Sequence, residues 1–150
     1  LAVMGSGLDV IYPAENRRLF HEIRENGAVL TEFPFGTGPF AYNFPQRNRI
    51  ISGLSRGVIV VEAGVKSGTL ITVDCALEQG RDVYAIPGAI NAPLSAGTNR
   101  LIKQGCTIIT SVDDLFAEYL PDAKVEYPTA KAGNLIKYLG GARRDSPPAR

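Results

Sequence analysis

The sequence predicts an α/β protein built as a doubly wound, mostly parallel sheet with helices on both faces. Three observations carry that expectation. Short β-branched apolar runs alternate with segments of helical periodicity. The joints that follow the strands are rich in Gly, Ser, Thr and Pro. Val58 to Val61 is an uninterrupted apolar run, the pattern of a strand buried on both faces of a parallel sheet.

The elements follow in order. Leu1 to Met4 reads as a strand, with Gly5-Ser6-Gly7 as the turn at its C-terminal end. Pro13 opens a helix whose apolar stripe is Leu19, Phe20 and Ile23, and Asn26-Gly27 closes it. Ala28 to Leu30 is a second strand. The segment from Phe33 to Phe44 is too rich in Gly and Pro for a regular element, yet it carries five of the twelve aromatic residues. Two accounts fit it: rings packed over the sheet edge, or a surface on which bases stack. Ile50, Ile51 and Leu54 then mark a helical face that runs into Arg47. A guanidinium on an apolar stripe needs a partner, which predicts a bond to Glu32, to Glu62 or to a bound anion. If those carboxylates take Arg47, Arg49 on another face stays available to phosphate.

The strand Val58 to Val61 ends at Glu62. Lys66-Ser67-Gly68-Thr69 forms a small-residue loop, and Leu70, Val73 and Leu77 recur at helical spacing until Gly80 stops the helix. Strand, Gly/Ser/Thr loop and helix is an arrangement that offers backbone N–H groups to a phosphate, or merely a tight turn. Asp82 to Ile86 is the next strand, broken by Pro87-Gly88. Gly97-Thr98-Asn99 places a second polar turn before a short helix from Arg100 to Gln104. Cys106 to Ile109 is the last strand, and Ser111 with Asp114 caps a helix through Leu120. Residues 1–120 therefore form the folded domain, and residues 121–150, ending in Gly140-Gly141 and RRDSPPAR, read as a tail or linker. In such sheets the loops at the C-terminal strand ends make the binding crevice. Gly5 to Gly7, Glu32 to Arg49, Lys66 to Thr69 and Pro87 to Asn99 are expected on that rim.

Composition narrows the function classes. With 16 basic and 15 acidic residues, any nucleic-acid surface is a local patch. A single histidine, His21, beside an apolar stripe, supports neither a metal cluster nor a Ser-His-Asp triad. Cys75 and Cys106 read as buried thiols in a reducing compartment. No residue demands a metal or an organic cofactor, and no catalytic constellation stands out. Leu1 is not an initiator methionine and opens directly in a strand, so a piece of a longer protein is expected.

Five ordered motifs resemble the DNA-processing protein A (DprA/Smf) family. They are FPQRNRIISGL from Phe44, VEA from Val61, SGTLIT from Ser67, IPG from Ile86 and GTNRLI from Gly97, with VMGSGLDVIYP from Val3 matching in order and spacing as well. The resemblance covers residues 1 to 120. It implies a Rossmann-like domain whose first strand and arginine-bearing loop precede this chain. It further implies a cytoplasmic homodimer that binds single-stranded DNA during natural transformation and helps load the RecA recombinase. By position, Arg47, Asn48 and Arg49 with Lys66, Ser67, Gly68 and Thr69 would line the DNA pocket, with Thr98 and Asn99 as neighbours. Two other readings share the fold: a nucleotide sensor, and a phosphoribohydrolase-like enzyme using Glu62. The PGGxGTxxE run of those enzymes is absent, and Asp74 and Glu78 do not reproduce its spacing.

Overall fold

Parallel strands and intervening helices alternate along the chain as expected. The structure is a computed structural model and describes residues 1–119. It divides into a unit Leu1–Leu115 and a second unit from Phe116. The expected tail 121–150 lies outside the described residues. In order, the elements are β1 (Ala2–Val3), α1 (Arg17–Asn26), β2 (Val29–Leu30), α2 (Asn43–Leu54), β3 (Gly57–Val60), α3 (Thr69–Glu78), β4 (Asp82–Ala85), α4 (Ala96–Lys103), β5 (Thr107–Ile108) and α5 (Val112–Tyr119). Short 3-10 turns, Ala14–Asn16 and Pro93–Ser95, lead into α1 and α4.

The strands pair in parallel in two ladders, β1–β2 and β3–β4–β5. The division has a local cause. Ala2 and Met4 turn their N–H groups to Ala28 O and Leu30 O of the β2 side. Val3 and Gly5 therefore face the opposite edge, where α2 side chains take their carbonyls: Arg47 Nη1 donates to Val3 O and Asn43 Nδ2 to Gly5 O. Two donors one helical turn apart thus cap an edge that would otherwise need another strand.

The core lies between β3–β4 and helices α3 and α4. Val60, Ala63, Val73, Ala76, Val83, Ala85 and Leu101 are buried, with Val58, Leu70, Ile102 and Cys106 packed around them. Burial pushes the Cys106 thiol up, as fits a cysteine set against apolar walls. One expectation is corrected here. The run Val58 to Val61 is not buried on both faces: Val60 is fully buried, but Ile59 is 43% and Val61 62% exposed. The helices cover one face of β3 and leave the other half open, so an unbroken apolar run does not imply two covered faces.

Helix ends follow their residues. At the end of α3, Gly80 takes φ +64°, Gly80 N–H donates to Leu77 O and Arg81 N–H to Ala76 O. At the end of α4, Gly105 takes φ +102° with the same pair of bonds to Ile102 O and Leu101 O. Both are left-handed closures that glycine adopts without steric cost. At the start of α5, Asp114 Oδ2 accepts from the Thr110 and Ser111 N–H groups, which is the predicted cap and holds its carboxyl below the usual range. Helix α4 begins earlier than its apolar residues suggest. Gly97, Thr98 and Asn99 are its first turn and not a loop before it.

Candidate nucleic-acid interface

The loops after β1 and β2 are knitted into one body. Thr31 Oγ1 donates to Ser6 O, Ser6 Oγ donates to Val10 O and Gly7 N–H donates to Thr37 O. Gly36 N–H reaches both oxygens of the Asp9 carboxylate at 2.9 and 3.0 Å. A Cβ on Gly7 would sit 2.5 Å from Pro34 O, so close backbone approach requires glycine at that position of the turn. Asn43, only 1% exposed, completes the body by donating to Gly5 O at 2.9 Å and Gly38 O at 3.1 Å.

On this body stands the N-terminal half of α2. Pro45 falls in its first turn, where a missing N–H costs nothing. Arg47 is half-buried: Nη1 donates to Val3 O at 2.6 Å, Nε donates to Asn48 Oδ1 at 3.2 Å, and the guanidinium lies 5.5 Å from the centre of the Phe44 ring. Desolvation pulls its pKa down. The carboxylate partner expected for Arg47 is therefore a backbone carbonyl. Glu32 instead pairs with Arg49, and both of these side chains are about half exposed. Carboxylate and guanidinium flank a groove of about 430 Å³ lined by Leu30, Ile50, Leu54 and Gln79. Gln79 anchors that end, donating to Arg49 O and accepting from Ser52 Oγ.

A second group of predicted residues gathers beyond β3 and β4. Lys66 and Gly68 are exposed, and Ser67 Oγ accepts from Thr69 N–H and bonds Thr69 Oγ1. Leu70 N–H and Ile71 N–H already donate to Ser67 O and Gly68 O. An anion at this turn would thus meet Gly68 N–H and the Lys66 ammonium. Glu62 is exposed at the end of β3. Thr98 is buried, its hydroxyl donating to Ser95 O. Asn99 clasps Gly88 reciprocally: Nδ2 donates to Gly88 O at 2.9 Å and Oδ1 accepts from Gly88 N–H at 3.2 Å. Gly97 N–H donates to Ala63 O at 2.7 Å. Thr98 and Asn99 therefore support the strand-end loops from within α4.

The aromatic loop divides. Phe33 and Phe44 are half-buried, Phe44 meeting Tyr12 with ring centroids 6.0 Å apart. Phe35, Phe40 and Tyr42 remain exposed. Asn43 is not marked by any sequence motif. Its only signal is an amide at the helix start, one turn before Arg47 on the same face.

Fold and rim together define a parallel α/β domain with polar strand-end loops and a helix start rich in guanidinium and amide donors. The family model for DNA recombination-mediator protein A matches residues 1–120. The chain is 50% identical over 130 residues to protein Smf of Escherichia coli, covering 82% of this chain and 35% of that protein. It is 51% identical over 119 residues to DNA processing protein DprA of Streptococcus pneumoniae, covering 79% of this chain and 42% of that one. The chain thus spans well under half the length of these relatives.

Two solved structures share the fold. The S. pneumoniae DprA structure aligns with TM-score 0.70 at 49% identity, over 77% of this chain and 42% of that one. A DNA processing protein A from Helicobacter pylori, described with a single-stranded DNA binding mode, aligns with TM-score 0.73 at 30% identity, over 81% and 56%. The chain belongs to the DNA recombination-mediator protein A family, also called DprA or Smf.

Proposed function

We propose that this chain binds single-stranded DNA through its phosphate backbone, as part of a DNA-processing protein that receives DNA in natural transformation. Two observations carry the reading together. The rim is rich in donors that suit phosphate, and the family's H. pylori member, which matches this chain over most of its length, is described as binding single-stranded DNA. Arg49 is the leading contact: its Glu32 bridge is solvent-exposed, and such pairs are worth only ~0–1 kcal/mol, so a phosphate competes for the guanidinium. Asn48, Lys66 and Gly68 supply further donors, with Ser67 and Thr69 shaping the second turn. Arg47 acts chiefly by holding α2 against β1. The function is non-enzymatic, since phosphate recognition needs no general base. Homodimerisation, hand-off to RecA and a cytoplasmic setting belong to the same proposal.

The test is a fluorescence-anisotropy titration with oligo-dT and with duplex of equal length at several salt concentrations. Salt-sensitive preference for the single strand is expected. No binding by the folded chain, with saturable binding of a nucleotide instead, would move the reading to a nucleotide sensor. Light scattering and capture on immobilised RecA test the two partner proposals.

A further inference from the structure

Exposed aromatic rings are ordinary when scattered singly, but two that stack on each other in solvent are a built feature. The rings of Phe40 and Tyr42 are parallel within 5°, with centroids 5.5 Å apart. Phe40 is 51% and Tyr42 64% exposed. The two are not equivalent. A Cβ placed on Gly38 would lie 3.3 Å from Phe40 Cζ and 3.5 Å from Cε2, so the Phe40 ring rests against Gly38. Phe40 is thus in contact both with Gly38 and with the stacked Tyr42 ring. Tyr42 is the more exposed of the two rings.

The backing is held by the buried Asn43. Its side chain donates to Gly38 O, and its own N–H donates to Phe40 O at 2.9 Å. Phe40 N–H in turn donates to Gly38 O at 2.9 Å. Gly38 and Phe40 are therefore tied through Asn43 to the body that carries α2, and Tyr42 stacks on that anchored ring. A ring fixed in advance loses little freedom when a ligand covers it. The gap between the two rings is too small for insertion, because an intervening planar group needs about 7–8 Å between them. The open place for a stacked planar ligand is therefore the exposed face of the pair, where Tyr42 is the more accessible ring. Tyr42 immediately precedes α2, placing it about 10 Å along the helix axis from Arg49.

We propose that Tyr42, backed by Phe40, is a stacking platform for one unpaired nucleobase of the bound strand. The inference rests on the single-stranded DNA reading above and adds a base contact to a backbone-led interface. Stacking takes any base, because every base has a π-face, so the platform favours single strands over duplex without reading sequence.

The test compares oligo-dT with an oligomer of equal length made of abasic tetrahydrofuran units, titrated against the full 150-residue chain. The chain is expected to prefer oligo-dT by about 5- to 150-fold. Tyr42→Ala should abolish that preference while leaving affinity for the abasic strand and its salt slope unchanged, and Tyr42→Phe should keep the preference. Unfolding midpoints recorded for each variant confirm that folded chains are compared. Equal, salt-dependent binding of both oligomers overturns the platform and leaves the DNA reading standing. A Tyr42→Ala variant that weakens both oligomers alike also overturns it. Failure of the folded chain to bind either oligomer ends both readings.

Discussion

Arg47 and Arg49 lie on one short helix and do different work, because their partners differ. Arg47 gives Nη1 to Val3 O, so Arg47→Ala leaves a β1 carbonyl without its donor. Such a loss costs about 1–3 kcal/mol, and urea unfolding should show a lower midpoint at unchanged m-value. Arg49→Ala removes only an exposed pair with Glu32, so stability should change by less than about 1 kcal/mol. In oligo-dT titrations the same variant should weaken all single-stranded sequences about equally. It should also flatten the log–log salt dependence by ~0.7, the share of one phosphate contact. A variant that lost one sequence and kept another would contradict a backbone-led interface. Asp114 offers a pH readout at this scale. Its carboxyl is held below the ordinary aspartate value by the N–H groups of Thr110 and Ser111, so its contribution is present above that value. That contribution fades as pH falls through the lowered folded pKa. Relative to the intrinsic exchange rate at each pH, protection of the Thr110 and Ser111 amides should fall on acidification, and Asp114→Asn should remove most of that pH dependence.

At the scale of elements, helix starts act as fasteners between loops. Helix α2 fastens the turns after β1 and β2 through Asn43, and α4 fastens those after β3 and β4 through Gly97 and Asn99. Gly97 is the tightest of these joints. A Cβ there would meet Ala63 O at 2.5 Å and Ala63 Cβ at 2.9 Å. Gly97→Ala should therefore push α4 from the loop after β3 and cost about 1–3 kcal/mol, measurable as a lower melting temperature. Gly68→Ala is the control within the same class of change, since a Cβ there meets nothing within 4 Å. It should stay within about 0.5 kcal/mol of the parent.

Across the whole molecule, apolar burial is one-sided at β3. Val60 faces α3 and α4, whereas Ile59 and Val61 look to the half-open face. Val60→Ala should cost about 1–3 kcal/mol through lost burial and a residual cavity, while Val61→Ser should change stability by less than about 0.5 kcal/mol. Equal costs at the two positions would show that the second face is covered in solution. Among the described residues no helix is long and apolar enough to cross a membrane. The chain's charge is nearly balanced, so attraction to DNA depends on where the guanidinium and ammonium groups stand and not on a global field.

The sequence by itself determined the order of elements, because strand runs, helical stripes and glycine stops are local signals. Gly80 and Gly105 end their helices where a left-handed residue is cheapest, and Asp114 caps α5 from within its own turn. The ordered motifs also determined family membership. What a chain segment meets across space was not legible. No spacing rule shows that Glu32 chooses Arg49, that Val3 O takes Arg47, or that Asn43 ties Gly5 to Gly38. The start of α4 was hidden for the same reason: Gly97 and Thr98 have weak helical preference, and tertiary bonds to Ala63 and Asn99's clasp on Gly88 override it. The division of the aromatic loop, with Phe44 turned in and Tyr42 out, was likewise decided by packing. A local pattern specifies backbone shape and an element's apolar face, but partners distant in sequence are selected only when the folded chain brings their donors, acceptors and rings within reach.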